Sequence, residues 1–239
     1  MASRPSKKKT KPDTKASAAE AYTHAKGSAP TALHASVDPL AFYADILPMV
    51  PVRPGSVILD IGGGIGRDAL AFAARGQGLE IYSVDPDPHM WTKAQEHYPD
   101  RFVRLEDGPI LPITKPAFLE DSLPWLDNLK RLKPDLKADF ILCNAVMMFV
   151  KPEERQQAIN TMAARLSQKG SLVIRFRTED LKDGMHPISV AEIDRLCLRA
   201  RFGQATRLFG TDPIPDPAGR SLANGKPMMW QQRILMKAL

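Results

Sequence analysis

The chain has 239 residues, 44% hydrophobic and 25% charged, enough apolar material for one sizeable α/β domain. Its formal charge is +6, but residues 1–15 alone carry +5 (Arg4, Lys7, Lys8, Lys9, Lys11 and Lys15 against Asp13), so the rest is close to neutral and demands no polyanionic partner. No apolar run approaches the roughly 20 residues of a membrane helix, and no apolar segment follows the basic start as in a secretory signal, so a soluble, cytoplasmic protein without membrane contact is expected.

Residues 1–16 form a basic tail rich in Lys, Ser, Thr and Pro, expected to be disordered, and any nucleic-acid contact would run through it. Residues 17–55 are expected to form a helical cover. Within it Asp38-Pro39 opens a helix whose stripe is Leu40, Phe42, Tyr43, Ile46 and Leu47. Residues 56–239 then read as a single domain. Val57 to Leu59 is a short apolar strand, and after a run of glycines Asp68 to Ala74 is a helix closed by Gly76. Leu79 to Val84 is a second strand, followed by a helix over about 88–97.

A fully apolar strand lies at Ala138 to Cys143. Pro152 opens a helix, with Ala158, Ile159, Met162 and Leu166 on one face, that should end near Gly170. Ser171 to Arg177 is the next strand. Ser189 to Glu192 is a capping box for a helix carrying Ile193, Leu196 and Cys197. Ala205 to Phe209 and Met229 to Met236 close the chain as an antiparallel pair. Strands alternating with helices predict a three-layer α/β fold with a mostly parallel seven-stranded sheet and an antiparallel C-terminal hairpin. Cys143 and Cys197 lack a partner at metal spacing and read as buried small hydrophobes, and the five histidines are scattered, so no metal site is expected.

The informative stretch is Asp60-Ile61-Gly62-Gly63-Gly64-Ile65-Gly66-Arg67-Asp68. Glycines after a strand let a ligand approach bare backbone, and the following helix offers unpaired N–H groups. Nineteen residues beyond Gly66, Asp85 ends the next strand, where a carboxylate can accept ribose hydroxyls, with Pro86 beside it. A dinucleotide fingerprint started at Gly62 would need Gly or Ala where Arg67 stands, which disfavours a nicotinamide enzyme.

The spacing Asp60-x-Gly62-x-Gly64-x-Gly66 resembles motif I of the class I S-adenosylmethionine-dependent methyltransferases, which have a Rossmann-like fold, and the resemblance runs from about Pro39 to Lys237. It implies S-adenosyl-L-methionine as cofactor. Asp60, Gly62, Gly63, Gly64 and Gly66 would pass under its methionine part and ribose, and Asp85 would hold the ribose. Asn144, closing the strand at 138–143, would lie beside the cofactor. The family places an acid after its third strand against the adenine amino group. Both Asp121 and Asp107 qualify, and Asp121 is favoured because a short helix and the next strand follow it at the usual distance.

The place after that strand reads Asn144-Ala145-Val146-Met147, not the Asn/Asp-Pro-Pro-aromatic tetrad that accompanies methylation of base amino groups, and no cysteine pair suits cytosine-C5 chemistry. The implied activity is therefore O-, N- or S-methylation of a small molecule or protein side chain. A non-catalytic binding module of the same fold is the rival. His186, Arg177, Tyr22 and Tyr43 could serve the acceptor, but no spacing rule makes any of them catalytic, and the oligomeric state is not legible.

Overall fold

A computed structural model describes residues 43–45, 47–48, 52–76, 78–106, 115–179, 181, 184–200, 206–216, 219–222 and 224–237. The basic tail, the start of the cover helix, Tyr22 and Asp107 lie outside the described residues.

Strand β1 (Val57–Ile61) leads through the glycines to α1 (Arg67–Ala73), and β2 (Glu80–Asp85) leads to α2 (His89–His97). Two strands then precede α3 (Asp127–Leu132), namely β3 (Val103–Arg104) and β4 (Ala117–Glu120). β5 (Ala138–Asn144) is followed by a 3-10 turn at Pro152–Glu154 and α4 (Arg155–Arg165). β6 (Leu166–Phe176), α5 (Val190–Arg199), β7 (Thr206–Gly210), β8 (Ile214–Pro215) and β9 (Met229–Lys237) complete the order.

The sheet runs β3-β4-β2-β1-β5-β6-β9-β7, with β8 paired to β9 off this path. The pairings from β3 to β6 are all parallel, whereas β9 is antiparallel to β6, β7 and β8. The C-terminal pair is therefore antiparallel as expected, with the last strand lying inside and β7 at the edge. The expected seven strands are present. Two further strands, β3 and β8, are each only two residues long. Both candidates for the third strand turn out to be strands: Ala117–Glu120 pairs with β2, and Val103–Arg104 pairs outside it.

Burial explains why the inner strands read as unbroken apolar runs. Ile58, Leu59 and Ile61 of β1 and Phe140 to Cys143 of β5 are buried regardless of which way they point. A strand covered on both faces has no polar side to alternate with. One large cluster unites these residues with Phe72, Ile159, Met162, Ile174 and Ile193.

Two local expectations need correction. α4 ends at Arg165, not near Gly170, because Leu166 is already extended and its residue pairs with Ala138 before a register shift brings Ser171 opposite Phe140. The capping box is half formed: Ser189 Oγ accepts from the Glu192 N–H at 3.2 Å, while the Glu192 carboxylate instead accepts from Arg155 at 2.7 Å. Arg155 is buried and also donates to the carbonyls of Val150, Pro187 and His186, so it binds α4 to the segment before α5. A guanidinium with several donors in a fixed fork suits such a junction.

Candidate functional site

The chain leaves β1 toward β2 on one side and meets β5 on the other, and the carboxyl ends of such strands frame the ligand crevice of open α/β sheets. Gly62 follows β1, Asp85 ends β2, Asp121 follows β4 and Asn144 ends β5, so these four residues lie at this one end.

The loop after β1 is held from two sides. The N–H groups of Gly62 and Gly63 donate to the Val84 carbonyl at 2.7 and 3.1 Å. The N–H of Gly64 donates to one carboxylate oxygen of Asp85 at 2.8 Å, and the N–H of Asp87 donates to the other at 3.0 Å. Asp85 is thus buried and shapes the loop, a task not foreseen from its position. Asp87 in turn accepts from the His89 N–H at 2.9 Å and caps the start of α2. Pro86, between these acids, is partly exposed.

Three of the four glycines are glycine for want of room. A side chain at Gly62 would strike Val146, one at Gly63 would strike Ser83 and Asp60, and one at Gly66 would strike the Phe102 ring. Gly64 differs. Like Gly62 and Gly66 it has a positive φ, +57°, but a Cβ there would meet no described atom within 4 Å.

Behind the loop sits buried negative charge. Asp60, Asp68 and Asp85 are all buried, with Arg67 bonded to Asp68 through Nε at 2.7 Å. Burial holds the Asp60 carboxyl well above the ordinary carboxylate range, the Asp68 charge adds to this, and Arg67 opposes it. The β1–β2 register sets Ser83 beside Asp60, and its hydroxyl donates to Asp60 at 3.4 Å.

The N-terminal segment reaches into the same place. Tyr43 is fully buried, and its hydroxyl donates to Asp68. Its ring lies 4.5 Å beneath the Arg175 guanidinium. Burial, with the Asp68 charge next, raises the Tyr43 hydroxyl well above its ordinary pKa, so it stays protonated. Asn144 Nδ2 donates to the Tyr43 oxygen at 3.3 Å and to Asp68 at 3.4 Å. Asp45 joins Arg175 at 3.2 Å and Gln232 at 2.9 Å. Sequence alone named Tyr43 only as one candidate of four and did not single out Asp68, Asp45, Arg175 or Gln232. Partners 25 to 187 residues apart leave no spacing signal.

The remaining candidates have other tasks. Asp121 accepts from the N–H groups of Ser122 at 2.9 Å and Leu129 at 2.8 Å, fixing the turn into α3. Arg177 is buried with its guanidinium 5.5 Å from the Trp230 ring centre and 3.2 Å from Met228 Sδ. His186 donates its backbone N–H to the Met148 carbonyl at 2.7 Å.

Residues 59–172 match the model of a family described as a methyltransferase domain. A carboxy-S-adenosyl-L-methionine synthase of Erwinia tasmaniensis is 28% identical over 140 residues, covering 55% of this chain and 50% of that protein. The chain thus spans about half the length of this curated relative. The magnesium protoporphyrin IX methyltransferase of Synechocystis PCC 6803, solved with S-adenosylhomocysteine, shares the fold with a TM-score of 0.59 at 15% identity, covering 92% of this chain and 94% of that one. The phosphoethanolamine N-methyltransferase 2 of Haemonchus contortus gives 0.58 at 12% identity, covering 92% of this chain and 57% of that one. The chain thus shares the fold of these solved methyltransferases. No described helix is long and apolar enough to cross a membrane.

Proposed function

We propose that this protein binds S-adenosylmethionine over Gly64 and transfers its methyl group to a small molecule or a protein side chain. The observation that carries the reading is the contrast within the loop: protein fills the Cβ position of Gly62, Gly63 and Gly66 and leaves that of Gly64 open, next to Asp85. Backbone so exposed beside a carboxylate at the end of β2 suits a nucleoside. Each carboxylate oxygen has two lone pairs, so an Asp85 that accepts backbone N–H groups can also accept ribose hydroxyls.

Asp60 and Asp68 supply the electrostatics. A sulfonium and an ammonium are cations, and carboxylates in a poorly solvated site attract them far more strongly than in water. The bound cofactor supplies an already activated methyl group, so the protein has to orient the acceptor and exclude water. Gly62, Gly63, Gly66, Pro86 and Asn144 would border the cofactor, and Asp121 would face its adenine amino group.

Several points support a small-molecule or side-chain acceptor. The chain lacks the Pro-Pro-aromatic clamp after Asn144, and its charge outside the first fifteen residues is near zero. The two similar solved methyltransferases named above are called after small acceptors. Titration calorimetry with S-adenosylhomocysteine, followed by turnover with tritiated S-adenosylmethionine on metabolite, protein and nucleic-acid fractions, tests this. Binding and label in the first two fractions are expected. Label confined to nucleic acid overturns the acceptor reading, and binding without turnover on any fraction leaves a non-catalytic module.

A further inference from the structure

Asn144 is the last residue of β5, and its amide can sit in only one orientation. Its Nδ2 faces the Tyr43 oxygen at 3.3 Å and the Asp68 carboxylate at 3.4 Å. Tyr43 gives its hydrogen to Asp68, so both neighbours present only lone pairs to Asn144. Turned over, the amide would set its carbonyl oxygen against a carboxylate. Held as it is, Asn144 Oδ1 is buried and has no hydrogen-bond partner among the described residues.

A buried acceptor without a donor is rare in native proteins and costly when it occurs. Here it occurs where β1 and β5 end side by side, Ile61 opposite Cys143, two residues before the Val146 side chain that abuts Gly62. Resting on the reading that the cofactor lies over Gly64, we propose that Asn144 Oδ1 accepts a hydrogen bond from an N–H of the methyl acceptor, which is therefore an amine. Tyr43 and Asp68 are positioning residues that keep the amide oxygen turned toward it.

The chemistry separates an amine from a hydroxyl or thiol. An amide oxygen accepts a hydrogen bond but does not take a proton, so it cannot activate a protonated hydroxyl. A neutral amine needs no base in the transfer step. Its lone pair forms the bond to the methyl carbon, the carbon–sulfur bond breaks, and that electron pair stays on sulfur. Nitrogen keeps its hydrogen, and the positive charge passes from sulfur to nitrogen. Asn144 Oδ1 then receives a hydrogen bond from an ammonium, which is stronger than one from a neutral amine. Asp68, buried and bonded to the Nδ2 end of the same amide, holds the oxygen end free for that ammonium. The surplus proton leaves with the product or passes to solvent.

The test uses the full chain, tritiated S-adenosylmethionine, and metabolite and protein fractions. One half of each fraction is treated with succinic anhydride and then hydroxylamine, which blocks amines and restores hydroxyls. Blocking should remove the label, and alkali should release no volatile methanol. Tyr43→Phe should lower kcat about tenfold and leave the dissociation constant for S-adenosylhomocysteine within about twofold, a split that general loss of structure would not give. Asn144→Ala, which also removes a group bordering the cofactor, should lower kcat at least as much. Label that survives blocking, or that leaves as methanol, overturns the inference while the methyltransferase reading stands. So do variants that weaken S-adenosylhomocysteine and spare kcat, because the amide would then serve the cofactor. A protein that binds S-adenosylhomocysteine and labels nothing overturns the inference together with the catalytic reading, whereas failure to bind it overturns the cofactor assignment itself.

Discussion

The N–H of Gly64 donates to the Asp85 carboxylate at 2.8 Å, tying the turn after β1 to the end of β2. Gly64→Val should therefore act twice. A β-branched residue at φ +57° is strained by roughly 1–2 kcal/mol. Its side chain would also enter the open space proposed to take the ligand. S-adenosylmethionine affinity should fall at least about tenfold, or about 1.4 kcal/mol, by calorimetry on the folded variant. Asp85→Ala should weaken it at least as much and lower the melting temperature too. Unchanged affinity in both variants would remove the cofactor from this loop.

Asp121 gives a second, separable effect. Its carboxylate holds the N–H groups of Ser122 and Leu129, and losing such a cap costs about 1 kcal/mol. Burial raises its pKa above the ordinary value, against the lowering by these two bonds. Asp121→Ala should thus lower the melting temperature by a few degrees and also weaken adenosine-containing ligands. Asp107→Ala should leave ligand affinity nearly unchanged. The opposite pattern would move the adenine contact to the segment after β3.

Asp60 sets a pH dependence. Its carboxyl titrates above the ordinary range in the fold, so the folded state holds this proton more tightly than the unfolded chain. The stability it contributes is complete below the unfolded pKa and is lost as pH rises through the folded one, at no more than about 1.4 kcal/mol per pH unit. Asp60→Asn should abolish this slope and raise the ligand-free melting temperature at pH 7.5. It should also weaken the cationic S-adenosylmethionine more than neutral analogues. Melting curves from pH 4 to 8 that run parallel for both proteins would refute the assignment.

The thiols should be inert. Cys143 and Cys197 are both buried, and desolvation raises both, Cys197 to about 12. Thiolate, the reactive form, is scarce at such values. A thiol reagent at pH 8 should titrate almost no cysteine in the native protein and two after unfolding. Fast native labelling of either would mean that β5 or α5 opens readily.

Strands β1 and β5 were legible because each is buried on both faces and bounded by a turn residue: Val57 to Ile61 ends at glycine, and Ala138 to Cys143 ends at Asn144. The loop glycines and Asp85 could be read because their spacing along the chain is itself the geometry. What sequence could not yield is whatever depends on distant partners. Leu166 looks helical by its stripe, and only pairing with Ala138 draws it into β6. Glu192 fits a capping box until Arg155 takes its carboxylate. Asp85 can be placed at a strand end by counting, but its bond to Gly64 requires two strands to be in register. Tyr43 meets Asp68 and Asn144 only once β1, β5 and the N-terminal segment have converged.

The order β6-β9-β7 has a consequence for biogenesis. β6 gains its outer neighbour only when residues 229–237 are available, since Ser171 pairs with Met236 and Phe176 with Gln231. Until then its outer edge, carrying Leu172 and Ile174, offers unpaired backbone to any passing strand. β7 emerges from the ribosome first yet has nothing to pair with until β9 arrives. A nascent chain stopped short of Met229 should therefore be a client for chaperones, and the sheet should close only once residues 229–237 have emerged, long after the glycine loop is made.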